Sequence, residues 1–239
     1  MTGWTIAAYH LCTYTWALAY IGIIYRGFKD QTYGMPIVAL TLNLAWEIVF
    51  AWFIPPYGSA DSTLIPHGGL KAQMIFTVWA ALDLVILYTY FRYGYRYFQK
   101  QYGLSRPQWI GFTLAMLIFS FFIMYTGGMF FWQFEEYFNA DQIEGAKLIA
   151  FIQNALMSIS FIAMFHARGG TAEGQSFTIA WAKWIGTSMT GGIIYVLSRP
   201  DEWYFVGTFI VAVFVADVYY MIVVYRALKR QGINPWTRL

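Results

Sequence analysis

The stretch PIVALTLNLAWEIVFAWFI, residues 36–54, is apolar along its whole length except at Thr41, Asn43 and Glu47. At ~1.5 Å of rise per helical residue it is long enough to cross the ~30 Å hydrocarbon layer of a bilayer. A carboxyl in the middle of such a helix costs about 2.5–3.5 kcal/mol on insertion scales, so Glu47 is expected to have either a partner or a task.

Working outward from this stretch, 59% of the residues are hydrophobic and 11% are charged, against about 25% charged in an ordinary soluble domain. Seven segments are long and apolar enough to span: Trp4 to Ile24, Pro36 to Ile54, Ala72 to Phe91, Trp109 to Phe131, Leu148 to Phe165, Phe177 to Leu197 and Tyr204 to Tyr225. The expected fold is therefore all-α: a polytopic membrane protein with one seven-helix transmembrane domain over residues 1–239. The stretches Pro55 to Gly69 and Trp132 to Gly145 read as its two long outer loops. No Lys or Arg precedes the first apolar run, which reads as a retained span and not as a signal peptide.

Lys and Arg crowd into alternate connections. Arg26, Lys29, Arg92, Arg96, Arg168 and Arg226 fall on one side, while Lys71, Lys147 and Arg199 fall on the other. Positively charged loops are retained in the cytoplasm, which predicts an outer or lumenal N-terminus and a cytoplasmic C-terminus. The pI near 8.8 then reflects topology and anionic lipid, and nucleic acid is excluded as a partner. Lys183, near the cytoplasmic end of the sixth span, is expected to snorkel to the interface. Every proline lies in a loop or at a helix end, so the spans are expected to be largely uninterrupted, and Gly127, Gly128, Gly186 and Gly192 to let helices approach closely. The single Cys12 offers neither an intrachain disulfide nor a thiolate cluster for metal.

Polar groups at membrane depth must face another helix or a cavity. The census gives His10, Asn43, Glu47, Asp83 and Asp217. Glu47, Asp83 and Asp217 each lie ~15–20 Å along their spans, near mid-membrane. Asn43 and Glu47, four residues apart, share one helix face with Trp46 beside it, so the Asn43 amide can orient the carboxyl. Tyr220 follows Asp217 by one turn. Asp83 reads equally well as a fastener between helices, and His10, with no partner spacing, reads as structural. A carboxyl buried among apolar groups is a general acid suited to a lipophilic base, either an epoxide oxygen or an alkene. Protonating either creates cationic character that aromatic faces stabilise, and 21% of the residues are aromatic.

The NLAWE string on the second of seven spans, the Asp of FVADVYY in the last, and the length of 239 residues resemble the integral membrane terpene cyclases of meroterpenoid and indole-diterpene biosynthesis. The resemblance implies a secondary-metabolism enzyme of isomerase or lyase type that cyclises a prenyl chain carried on an aromatic or polyketide-derived head. It also implies Glu47 and Asp217 as the catalytic acids, either of which could be the donor; beside them Asn43 and Trp46 of the same motif, and Asp83 and Tyr220 by depth and spacing alone, are expected to orient substrate or acid. Such a reaction requires no metal and no cofactor, and the chain has no aspartate-rich box of the kind that holds Mg²⁺ against a diphosphate. The expected partners are a lipophilic prenylated small molecule and the lipid bilayer, in the cytoplasmic membrane of a bacterium or the endoplasmic reticulum of a fungus. A proton-coupled carrier using the same acids is the alternative, and a retinal protein is disfavoured because the last span contains no Lys.

Overall fold

The structure, a computed structural model, describes residues 3–54, 69–133, 142–192 and 203–239. Nearly all of the first expected outer loop, residues 134–141 of the second and the end of the expected sixth span fall outside the described residues. Within them the chain is helical and forms no strand: α1 (Gly3–Lys29), α2 (Ile37–Ile48), α3 (Gly69–Tyr93), α4 (Tyr95–Tyr102), α5 (Arg106–Trp132), α6 (Gln142–Ala167), α7 (Phe177–Trp184) and α8 (Trp203–Arg230). Four stretches, Leu70–Tyr93, Arg106–Phe131, Gly145–Ala167 and Tyr204–Arg230, are long and apolar enough to cross a membrane. They correspond to the expected third, fourth, fifth and seventh spans.

Helix α2 lies inside the bundle. Ten of its twelve residues are buried, as befits a helix that is apolar all round, and it packs against α3, α5 and α6. Beyond these contacts α1 packs on α3 and α7, α7 on α8, α8 on α6 and α6 on α5, with the short α4 joining α3 to α5. The outward faces stay greasy: Phe119 and Phe122 on α5 and Val215 on α8 are all about 60% exposed (each 62%), which is the surface a bilayer requires. Pro36 opens α2 where its missing N–H costs nothing, and its carbonyl accepts from Leu40 N at 2.9 Å.

The expectation of uninterrupted spans needs correction at two places. Helix α2 continues into a π-helical segment, Val49–Phe53, and α7 into another, Ile185–Gly191. The first is marked by an Ile54 N–H bond to Val49 O at 2.7 Å. It packs on Gly128, where a Cβ would lie 2.8 Å from Ile54 Cδ1, so the widened turn occupies the space the glycine leaves. In the second, Thr190 Oγ1 donates to Ile185 O at 2.8 Å and Gly186 O at 3.0 Å, and the Cys12 thiol reaches Gly186 O at 3.1 Å. Carbonyls displaced from the regular ladder are thus met by side chains. A Cβ on Gly186 would lie 2.7 Å from Trp16 Cδ1, so this glycine does bring α1 and the π-helical segment into close contact.

Helix α4 is an addition to the expected elements. YRYFQKQY turns Tyr95 and Phe98 onto Trp109 (ring centroids 5.6 and 6.4 Å apart) and leaves Lys100 in the open. It stops at Gly103, whose left-handed φ of 66° suits glycine. Two residues on, Ser105 and Gln108 form a reciprocal capping box that starts α5.

Candidate active site

Glu47 and Asp83 are both fully buried, at 0% exposure. Each sits on an apolar helix that must bury its few polar groups against a neighbour, and α2 and α3 pack directly together. The Asn43 amide nitrogen lies 2.9 Å from Glu47 Oε1 and 2.9 Å from Asp83 Oδ2. One side chain therefore bridges the two carboxyls, whose nearer oxygens are within twice a hydrogen-bond length of each other. Tyr20 of α1 donates its hydroxyl to Glu47 Oε1 at 2.7 Å, and Gln153 of α6 donates to Asn43 Oδ1 at 2.9 Å. Four helices thus converge on this cluster. Glu47 Oε2 and Asp83 Oδ1 keep no hydrogen-bond partner among the described residues, and no cation forms an ion pair with either carboxyl there.

Aromatic rings surround the cluster. Tyr20 meets Trp16 at 5.6 Å and Trp79 at 6.2 Å between centroids, and Phe76 bridges Trp79 (6.0 Å) and Trp46 (4.6 Å). Trp46 itself packs beside the acid, its indole N–H donated to Ala146 O at 2.9 Å. It fixes α6 against α2, and no hydrogen bond joins it to Glu47.

Asp217 occupies a different place. Lys183 of α7 donates to Asp217 Oδ1 at 2.7 Å and to Ser158 Oγ of α6 at 2.6 Å. The expectation that Lys183 snorkels to the interface is therefore overturned: it is 2% exposed, inside the bundle, because a carboxylate on the facing helix offers it a better partner than headgroup water. The carboxyl beside Asn43 and Glu47 is that of Asp83, while Asp217 pairs with Lys183. Tyr220, one turn from Asp217, is buried with its ring 5.4 Å from Phe161. Its hydroxyl and Asp217 Oδ2 lack partners among the described residues. His10 is exposed and stacks on Tyr14 at 6.1 Å, away from both clusters.

The sequence reading missed Tyr20, Gln153, Ser158 and the partner of Lys183. The QNALMS string at residues 153–158 was a visible signal, being three polar side chains inside an apolar run. Tyr20 carried none, as one of 19 tyrosines.

The model of the Pyr4-like transmembrane terpene cyclases matches residues 4–231. Among curated proteins the chain is 28% identical over 181 residues to the Pyr4-family terpene cyclase mfmH of Annulohypoxylon moriforme, across 76% of this chain and 65% of that protein. It is 26% identical over 193 residues to the terpene cyclase pyr4 of Aspergillus fumigatus (79% and 68%). It is 28% identical over 182 residues to the terpene cyclase ptmB of Penicillium ochrochloron (74% and 64%). The chain thus spans about two thirds of the length of these relatives (65%, 68% and 64%). No solved structure matches.

Proposed function

We propose that this chain, which belongs to the Pyr4-like transmembrane terpene cyclases, is itself a membrane-embedded terpene cyclase that protonates a terminal epoxide or alkene of a prenylated substrate. One observation carries the reading: two fully buried carboxyls, Glu47 and Asp83, share the Asn43 amide, and each has one oxygen that receives no hydrogen bond from a donor group among the described residues. Two carboxyls so close, with no cation paired to either among the described residues, hold a proton between them. Glu47 is the donor and Asp83 its partner. Tyr20 and Asn43 remain hydrogen-bonded to Glu47 Oε1 after the proton leaves and stabilise the carboxylate that forms.

In the reaction, the Glu47 proton passes to the epoxide oxygen as its C–O bond breaks, or to the terminal alkene carbon as the π pair forms the new C–H bond. The tertiary cation is attacked by the next alkene of the chain, and each ring closure moves the charge inward. The faces of Trp79, Phe76 and Tyr20 lower the energy of these cations. One proton is gained at the start and one is lost from the final cation, so the product is an isomer of equal mass.

The proposed topology has seven spans with an outer or lumenal N-terminus and a cytoplasmic C-terminus. It is supported by the basic residues gathered at one end of the bundle, where Arg168 stacks on Tyr33 and Tyr97 (4.3 and 4.9 Å to the ring centroids) and Arg238 pairs with Asp30 at 2.9 Å. The membrane is the endoplasmic reticulum in a fungal host and the cytoplasmic membrane in a bacterial one.

The test is expression in membranes with a panel of prenylated aromatic substrates, with and without the terminal epoxide. A cyclised isomer of unchanged mass is the expected product. Transport of unaltered substrate, with no isomer formed from any member of the panel, would establish the carrier reading instead.

A further inference from the structure

A cyclisation that begins with a proton must also end with one, and the site around Glu47 leaves that ending unassigned. We infer that Lys183 holds Asp217 as a carboxylate and that Asp217 Oδ2 is the base that takes the last proton from the cyclised cation. The inference rests on the cyclase reading.

The hydrogen bonds give the direction. Ser158 Oγ donates its own proton to Asn154 O at 2.9 Å, so toward Lys183 it can only accept. Lys183 therefore donates both of its bonds, to Ser158 at 2.6 Å and to Asp217 Oδ1 at 2.7 Å, as an ammonium does. The two side chains of the pair are 3% and 2% exposed. A lone charge of either sign there would be far costlier than the pair, so the two charges stand or fall together. Lys183 clamps one oxygen of Asp217 and the other has no partner among the described residues. A carboxylate held in this way has a fixed orientation and a free lone pair, which is what a base needs.

The geometry also connects the two sites. Ser158 lies five residues beyond Gln153 on α6, ~7.5 Å along the helix axis. Gln153 belongs to the Glu47 cluster and Ser158 to the Asp217 cluster. A prenyl chain of several isoprene units is longer than this interval.

The step balances. Asp217 Oδ2 takes a proton from the carbon next to the final cationic centre, and the C–H electron pair becomes the new alkene. Asp217 becomes a neutral carboxyl, Lys183 stays an ammonium, and the proton lent by Glu47 is returned to the protein. Proton exchange with water as product leaves resets both carboxyls. Lys183 is a positioning residue in this scheme: it touches Asp217 and not the substrate.

The alternative is that the pair only fastens α6, α7 and α8 together, and the way the final cation is quenched separates the two. Membranes carrying the full chain are given the prenylated aromatic epoxide that the wild type converts. Three things are measured: substrate consumed, cyclised alkene, and cyclised alcohol one water heavier. Lys183→Met and Asp217→Asn are expected to consume substrate while the alkene-to-alcohol ratio falls by about a hundredfold. Lys183→Arg restores the alkene. The double variant Lys183→Met/Asp217→Asn removes both charges, spares the fold an unpaired one, and shows the same shift where a single variant fails to accumulate. An unchanged ratio in the double variant overturns the inference. So does loss of substrate consumption in a double variant present at wild-type level, because the pair would then serve initiation. Absence of any cyclised product from the wild type would instead remove the cyclase reading on which the inference stands.

Discussion

The cluster around Glu47 and the cluster around Asp217 share a plan and differ in charge: the first holds a second carboxyl, Asp83, and the second a cation, Lys183. Each gathers a carboxyl from an apolar helix, an amide or hydroxyl from α6, and a nearby tyrosine. Only the second contains a cation. Without one, Glu47 and Asp83 must settle their charge between themselves over Asn43; with one, Asp217 is neutralised by Lys183 at 2.7 Å. The chemistry available to a buried carboxyl thus depends less on its own helix than on what the facing helix supplies.

The largest effect expected from breaking this contrast comes from Glu47→Gln. It keeps the shape and the amide packing and removes the proton, so cyclisation should fall by about 10²–10⁴-fold while the protein still accumulates in membranes. Product yield normalised to protein measures it, and full activity would take the acid role away from Glu47. Next, Lys183→Met leaves a carboxylate buried without a partner and should cost about 3–5 kcal/mol of stability, with much of that regained when Asp217→Asn is added. Thermal unfolding of the detergent-solubilised protein reads both. The same pair of measurements on Asp83→Asn should show little loss of stability, because the new amide still offers Asn43 an acceptor. Its turnover is expected to fall by about tenfold, or ~1.4 kcal/mol of barrier. The smallest change is Tyr20→Phe, which removes one hydrogen bond to Glu47 and should cost about 1 kcal/mol, seen as a several-fold loss in initial rate. If Tyr20→Phe and Asp83→Asn are strictly additive in rate, the two groups do not act through one Glu47 carboxyl.

How far these sites could be read beforehand differs residue by residue. The four long apolar helices stand out because membrane depth imposes an unbroken run of greasy residues, which is a local property of sequence. The i,i+4 relation of Asn43 to Glu47 was legible for the same reason: helical periodicity alone sets it. The bridge from Asn43 to Asp83 spans 40 residues and that from Lys183 to Asp217 spans 34, and no local rule reports which helix faces which. Lys183 was misread because a lysine near the end of a span ordinarily extends toward water, and only the tertiary partner reverses that preference. The π-helical segments escaped notice because no proline marks them. They depend on Gly128 and Gly186 lying opposite Phe50 and Trp16, which is again a matter of facing helices.

The segment Val49–Phe53 begins two residues after Glu47 and carries one more residue per turn than the helix before it. In terms of chain length it is a spare residue stored in the helix. Deleting one residue within it would let the ladder return to α-helical spacing and leave Glu47 and everything before it undisturbed. Deleting one residue ahead of Glu47 has no such slack, and would turn the carboxyl ~100° around the helix, away from Asn43's partners on α1, α3 and α6. The acid is therefore protected from changes in chain length on one side only.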